Sequence, residues 1–506
     1  FQEAVRTLNS LQSNALTLER CQITAAKRLQ NMVDYIHRSG LTVNDLDKLS
    51  IIHISGTKGK GSTAAYCESI LRHEGYKTAF FSSPHLVEVR ERFRINGKPI
   101  SKELFTSNFW HVYNKLDASK ESYDNLMPPY FAFLTVLSCH IFLEEKVDVT
   151  IMEVGVGGEY DSTNFIKHPI VCGVTSLGLD HTTILGKDLA SIAWNKAGIF
   201  KEGVPAVTVE QPPEAMKVIH DRSVEKNVSM SEIKDVTLHN VSQDIKLGIN
   251  GDKQIVNASL AVQLCKIWKQ THSGKDPVPL FFPISTQVYN SLKECIWYGR
   301  NQTIQRPGIT YYLDGAHTLE SVQQCVDWFN ESSTKEAKAV KGKVVKILVF
   351  NLTGGRGRDV SILLNQLQRC NFNGALFTPN LAYSAIDPNH SGKLSTEIFQ
   401  NGTSEHFGTS KLGEELNGAQ NELFVVNGEA LDMENLKYHT HILPCISSAL
   451  FWATQGKDKC VNVEKNCVVP DIPSEFHDAS HIQILITGSL HLVGGALSIV
   501  MPNLND

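Results

Sequence analysis

Residues 53–65 read HISGTKGKGSTAA. They resemble a phosphate-binding loop but depart from its common spelling, G-x-x-x-x-G-K-[ST]. Lys60 is followed by Gly61 and only then by Ser62 and Thr63, and the position expected to hold the first glycine is Ile54. What surrounds the loop decides its reading. LSIIHIS before it is a short β-branched strand, and STAAYCESILRHEGY after it has helical spacing and ends at Gly75. KTAFFSS is the next strand. Strand, glycine-rich turn, helix and strand within about thirty residues make a βαβ unit and a parallel sheet.

The rhythm continues outward. The first fifty residues read as helices, one ending at Gly40. KVDVTIMEVG and HPIVCGVTSLG read as buried strands, DLASIAWNKAGIF as a helix and VPAVTV as a strand. Residues 211–250 are more polar and less regular, and NASLAVQLCKIW returns to helical spacing. Near 298 the alternation restarts with YYLDGAH, TLESVQQCVDWF, KVVKILVFN, DVSILLNQLQ and GALFTP. It closes with HIQILITGS and LVGGALSIV. Residues 332–343 read as a charged loop and 383–422 as a mobile polar surface segment. The expectation is an α/β protein of two domains, 1–298 and a smaller 299–506.

Composition bounds the function. The chain has 506 residues, 42% hydrophobic and 20% charged, as in ordinary globular proteins. A net charge of −5 argues against a nucleic-acid partner. Eleven cysteines without a C-x-x-C pair suggest neither a zinc site nor a disulfide framework, hence a reducing compartment. No apolar run has the length of a membrane span. The chain opens on Phe1 rather than Met, which leaves room for a removed leader.

Several residues have chemistry available. Gly56, Gly59 and Gly61 let backbone approach phosphates, and the helix start attracts anions. Lys60 offers a point charge, and Ser62 or Thr63 a hydroxyl for phosphate or metal. The same residues also describe a glycine-rich turn with solvent lysines. Glu153 in EVGVGGEYDSTN (153–164) and Asp180 and His181 in SLGLDHTTILG (176–186) fall at strand ends, where open α/β sheets bind ligands. Glu153 suits Mg²⁺, whereas His181 alone reads as a loop histidine. Lys196 in AWNKAGIFK reads alone as a solvated lysine. Asp314 and His317 in LDGAHT, and Arg300 in WYGRN, lie in the second domain or at the junction; a helix cap and a surface ion pair are their plainer readings.

GTKGKGS, FFSSPHLVEVRERFRING, EVGVGGEYDSTN, SLGLDHTTILG, AWNKAGIFK and LDGAHT occur in this order. Together they resemble folylpolyglutamate synthase of the Mur ligase superfamily, closest to its animal form, over nearly the whole chain. The loop spelling G-T-x-G-K-G-S is that family's own variant. The resemblance implies a two-domain Mur-ligase-like fold, a P-loop ATPase-like domain followed by a smaller Rossmann-like one, hinged near 298–302. It implies ATP-dependent addition of L-glutamate to reduced folates through an acyl phosphate, with Mg²⁺ and a monovalent cation such as K⁺ as a further candidate. ATP would contact Gly56, Thr57, Lys58, Gly59, Lys60, Gly61, Ser62, Thr63, Asn257, Arg300 and Asp314. Ser83, Glu153 and His181 match metal ligands, and Lys196 matches a carbamate-bearing lysine. With Asp314 and Lys196, His317 would serve the reacting groups. Tyr130 and Phe131 are candidates for pterin stacking, and Ser489 and His491 for the glutamate side. A monomer in cytosol or mitochondrial matrix, without nucleic acid or membrane, is expected.

Two positions depart from many relatives: Thr318 replaces an Asn, and Lys58 replaces an Asn. Both are read as animal-type variants. The rivals are dihydrofolate synthase, another Mur-type ligase, a P-loop NTPase switch and an inactive folate-binding protein.

Overall fold

The structure, a computed structural model, describes residues 1–11, 25–233, 246–274, 284–352, 360–383, 424–426, 429–431, 439–463 and 469–505. The chain divides into two compact units, Phe1–His85 with Val89–Trp297, and Leu86–Glu88 with Tyr298–Asp506.

The first unit is built on an eight-stranded sheet: β1 (Ile51–Ser55), β2 (Thr78–Phe81), β3 (Phe93–Ile95), β4 (Lys98–Pro99), β5 (Val149–Glu153), β6 (Val171–Val174), β7 (Ala206–Val209) and β8 (Met230–Ile233). Their order is β4-β3-β2-β5-β1-β6-β7-β8. The run from β2 to β8 is parallel, and β3 and β4 add an antiparallel edge. The parallel strands are buried along their length, so β-branched runs mark them rather than alternation. Successive residues feed opposite cores. Ile52, Ile54 and Phe80 pack with helices Lys60–His73 and Gln254–His272. Ile51, Phe81 and Met152 pack with helices Ala25–Arg38, Lys102–Ser119 and Tyr130–Glu144.

The second unit holds a six-stranded sheet. Its strands are β9 (Gln302–Arg306), β10 (Ile309–Leu313), β11 (Lys343–Phe350), β12 (Gly374–Phe377), β15 (His439–Ile442) and β16 (Ala479–Thr487); β13 (Phe424–Val426) and β14 (Glu429–Leu431) form a separate ribbon. The order is β15-β12-β11-β16-β10-β9, parallel except for the β9–β10 hairpin. Helices Leu319–Ala339 and Val360–Leu367 cover one face. Ile446–Thr454 and Leu490–Val500 cover the other. The fold class is therefore the α/β arrangement of two mostly parallel sheets expected from the alternation.

Local expectations need correction. The irregular stretch 211–250 contains helix Pro213–Glu225 and strand β8. Proline is harmless in a first helical turn, where its missing N–H has no intrahelical partner. Residues 332–343 are not a loop: helix Leu319–Ala339 continues through most of them, and β11 begins at Lys343. Their Lys, Glu and Ala are strong helix formers, and charge marks only the solvated side. The polar segment expected at 383–422 lies, beyond Tyr383, outside the described residues. Among the described residues no helix is long and apolar enough to cross a membrane.

Candidate active site

The loop after β1 is held open by two glycines. Gly56 has φ +141° and Gly59, the N-cap of helix Lys60–His73, has φ +87°. A Cβ on Gly56 would lie 1.8 Å from Thr175 Oγ1, and one on Gly59 would lie 2.1 Å from Asn257 Oδ1. The loop is thus packed from below by β6 and by the buried Asn257, which explains its glycines better than turn formation alone. The amides of Thr57 and Lys58 both donate to Ser176 O at 3.0 Å, and Thr57 Oγ1 donates to Gly178 O at 3.2 Å. Thr63 Oγ1 and Thr175 Oγ1 are buried with no hydrogen-bond partner among the described residues. Ser62 is buried too, while Gly61 is half-buried with Trp297 Nε1 3.0 Å from where its Cβ would stand.

Lys60 and Lys196 converge on this loop. Lys60 Nζ donates to Gly56 O at 3.0 Å, and Lys196 Nζ donates to the same oxygen at 2.7 Å. Ser55 Oγ returns a hydrogen bond to Lys196 O at 2.8 Å. Lys196 is 3% exposed, not a solvated lysine. Burial and then the Lys60 charge pull its amine well below the ordinary lysine value, opposed by Asp180 and Asp161. Burial likewise lowers Lys60, against the pull of Glu153.

Carboxylates ring the same sheet edge. Glu153 ends β5 beside β1, is buried, and accepts the Ser83 amide at 3.2 Å. Asp180 accepts from Lys58 Nζ at 3.3 Å and from the His181 amide at 2.9 Å. Burial works against its charge, yet Lys58 and His181 hold its pKa down at about 2. His181 is exposed and left-handed, with φ 51°, at the start of the turn Thr182–Leu185. Asp161 organises the loop after Glu153: it accepts Thr163 N and Oγ1 at 2.9 and 2.7 Å and Val156 N at 3.0 Å. Burial raises its pKa against those hydrogen bonds.

Among the described residues, no group of three or more His, Cys, Asp or Glu side chains is arranged to hold a metal ion. Mg²⁺ asks for less, because it keeps waters and takes phosphate oxygens beside one or two protein ligands. The buried Glu153 carboxylate and the orphaned Thr63 hydroxyl are oxygen donors of that kind, so the residues fit Mg²⁺. His181 fits it less well as a nitrogen donor.

In the second unit, Asp314 follows β10. Its Oδ2 accepts Asn301 N at 2.8 Å, and its amide donates to Ile486 O at 3.1 Å. Gly315 N donates to Gly299 O, and a Cβ on Gly315 would meet Leu490 and Arg300 Nη1. Arg300, Asp314 and Gly315 therefore form one knot. His317 Nδ1–H donates to Gly315 O at 2.8 Å, which makes Nε2 the acceptor nitrogen of the neutral ring. Thr318 caps helix Leu319–Ala339 in a reciprocal pair with Ser321, a job a hydroxyl does as well as an amide. Ser489 caps helix Leu490–Val500 by accepting the His491 amide at 3.2 Å.

Phe131 packs on Phe81 at 5.8 Å and against Gly155, while Arg92 sits 5.6 Å from the Tyr130 ring. Both aromatics are half-buried. Sequence reasoning passed over Asp161, Thr175 and Ser176. Asp161 stood inside a quoted motif. Ser176 opened another quoted motif, while Thr175 carried no signal, because its part depends on where β6 lies beside β1.

No family model matches the chain. It is 41% identical to the protein named "Folylpolyglutamate synthase, mitochondrial" of Bos taurus, covering 100% of this chain and 93% of that one. The Homo sapiens protein of the same name is also 41% identical, with 92% of its length covered. A Caenorhabditis elegans protein, "Putative folylpolyglutamate synthase", is 37% identical over 99% of this chain and 92% of its own. Among solved structures, the apo form of L. casei FPGS superposes with a TM-score of 0.66 at 19% identity, covering 98% of both chains. Mycobacterium tuberculosis folylpolyglutamate synthase complexed with ADP gives 0.66 at 22% identity, covering 98% of this chain and 99% of that one. A relative this similar along the full chain, with the same fold beneath it, places this protein in the folylpolyglutamate synthase family.

Proposed function

We propose that the chain is an ATP-dependent, ADP-forming ligase that joins L-glutamate to the γ-carboxyl of reduced folates and so builds poly-γ-glutamate tails. One observation carries the reading from family to chemistry: a buried lysine, Lys196, and the half-buried Lys60 meet at the carbonyl that opens a glycine-held phosphate loop. A carboxylate does not acylate an amine unaided, because oxide is a poor leaving group. Phosphorylation by ATP turns the oxygen into phosphate, which leaves readily. The reaction therefore gathers several negative charges, and the site must supply fixed positive ones.

Lys60 and the amides at the start of helix Lys60–His73 would balance the ATP phosphates. Glu153, Ser83, His181 and a loop hydroxyl would hold Mg²⁺, which supplies charge neutralisation at the transferred phosphoryl group. Burial lowers the Lys196 pKa and so favours the amine, the form that would attack CO₂ through nitrogen, lose a proton and become a carbamate. That change turns a cation into an anionic ligand for a second Mg²⁺. Arg300 and Asp314 are assigned to ATP. His317 Nε2 is assigned the proton released when the glutamate amine attacks the acyl phosphate. We also propose a monomer working in cytosol or mitochondrial matrix.

The test is incorporation of labelled glutamate into tetrahydrofolate with ATP and Mg²⁺, omitting each in turn. Incorporation that needs all components is expected. ATP hydrolysis indifferent to folate, with no label in product, would overturn the reading. Label passing to dihydropteroate instead would make the chain a dihydrofolate synthase.

A further inference from the structure

Outside the phosphate loop, a charged cluster in the first unit centres on Arg222. This residue lies in helix Pro213–Glu225 with a side chain only 4% exposed. Its Nη2 donates to Glu159, its Nη1 to Glu225 at 2.7 Å, and its guanidinium stacks 4.4 Å from the Trp194 ring centre. Lys226 Nζ donates to Glu159 at 3.2 Å and to Gly198 O at 3.1 Å.

Apart from Glu225 on the same helix, the partners of this cluster lie against the segment that carries Lys196. Glu159 N donates to Asn195 O at 2.7 Å. Asn164 Nδ2 donates to Glu159 O at 2.9 Å and to Gly198 O at 3.2 Å. A Cβ on Gly158 would stand 2.5 Å from Asn195 O, and one on Gly198 2.4 Å from Glu159 Oε2, so loop and helix end are in backbone contact. Trp194, Asn195 and Gly198 are thus each gripped, and Lys196 between them reaches Gly56 O. Packing one helix on another needs only apolar side chains. A buried guanidinium costs desolvation that a simple helix contact would avoid, and here one of its Nη atoms and its π-face go to the Lys196 segment and the loop against it.

We propose that Arg222, acting through Glu159 and Trp194, is a positioning residue for Lys196 in the ligation reaction. The proposal rests on the function assigned above. Arg222 touches no substrate; it sets where the Lys196 nitrogen stands over the phosphate loop.

Two readouts test it on the full chain. In the glutamate-incorporation assay, normalised to folded protein, Arg222→Met is expected to lower kcat about tenfold to a hundredfold, with KM for ATP and folate nearly unchanged. Arg222→Lys keeps charge without the planar fork and falls between. Lys217→Ala, an exposed ion-pair member on the same helix, stays at the parent rate. Independently of ligation, acetic anhydride labelling of Lys196, followed by peptide mass spectrometry, is expected to speed up severalfold in Arg222→Met. Glu159→Gln, which keeps shape and removes charge, should act in the same direction and serves if Arg222→Met does not fold. Parent-level labelling of Lys196 in the folded variants, or a kcat loss that merely tracks the unfolded fraction, overturns the proposal. Absence of ligation by the parent protein, with labelling altered as expected, would sink the assigned function and leave the clamp standing.

Discussion

Lys60 and Lys196 donate to one oxygen atom, the carbonyl of Gly56, at 3.0 and 2.7 Å. Two ammonium groups cannot share so small a volume cheaply. Burial and then the Lys60 charge both act against a charge on Lys196 and pull its pKa well below the ordinary lysine value.

Lys196→Met should lower ligase activity about a hundredfold or more, because the carbamate assigned to this nitrogen can no longer form. Its effect on stability should depend on pH. The unfolded lysine titrates near its ordinary value and the folded one lower, so the unfolded state binds more protons in between, and stability rises with pH there. In CO₂-free buffer the parent protein should gain on Lys196→Met as pH rises toward the ordinary lysine value, read in urea titrations. A constant gap between the two would speak against a depressed amine.

The two loop glycines should differ in how they fail. Alanine at either meets positive-φ strain of about 1–3 kcal/mol and a collision. At Gly59 the collision is with the Asn257 side chain; at Gly56 it is with the Thr175 side chain and with Thr175 backbone nitrogen. Calorimetry with an ATP analogue should show weakened binding for both. Adding Asn257→Ala should restore part of the Gly59→Ala loss, although Asn257 is itself assigned to the nucleotide. Adding Thr175→Ala should restore less in Gly56→Ala.

His53 lies wholly buried on β1, its Nε2 2.9 Å from Thr163 Oγ1, and burial holds its pKa down to about 3. The unfolded histidine titrates near 6.5, so as pH falls from there toward 3 the unfolded state takes up a proton that the folded state refuses. Stability is lost across that window, by up to about 4 kcal/mol. His53→Gln removes the titration. Its denaturation midpoint should be flatter than the parent's between pH 6.5 and 4, and an identical acid slope would contradict this account.

Thr318 bears on helix Leu319–Ala339 rather than on chemistry. Thr318→Ala should lower thermal stability by about 1 kcal/mol, the usual value of an N-cap. Thr318→Asn should leave it nearly unchanged, since an amide oxygen also caps. Equal losses in both would show that the capping hydrogen bond is not what the residue supplies.

The sheet and the phosphate loop were legible because their signals are local. Buried parallel strands are short β-branched runs, and glycines mark the loop between β1 and its helix. Helix Pro213–Glu225 falls in the stretch that reads as polar and irregular, and it opens on Pro212 and Pro213 at positions where a helix tolerates proline. The charged end of Leu319–Ala339 was taken for a loop because solvated helix faces share loop composition. The site was less legible than the fold. Lys196 alone reads as a surface lysine, and only β1 and helix Leu189–Lys196 brought together make it buried. Thr175 and Asn257 are ordinary in sequence and matter because two glycines rest on them. Contacts between residues far apart in the chain leave no periodicity to read.

The short strand β4 ends one side of the first sheet with Lys98 and Pro99. An open sheet margin invites a strand from another molecule, which adds by the same backbone pairing and can start aggregation. Here the margin is two residues long, one of them cannot donate a hydrogen bond, and the other carries a charge. Nothing at that border offers a template for fibril-like growth, so crowding at high protein concentration should not propagate from it.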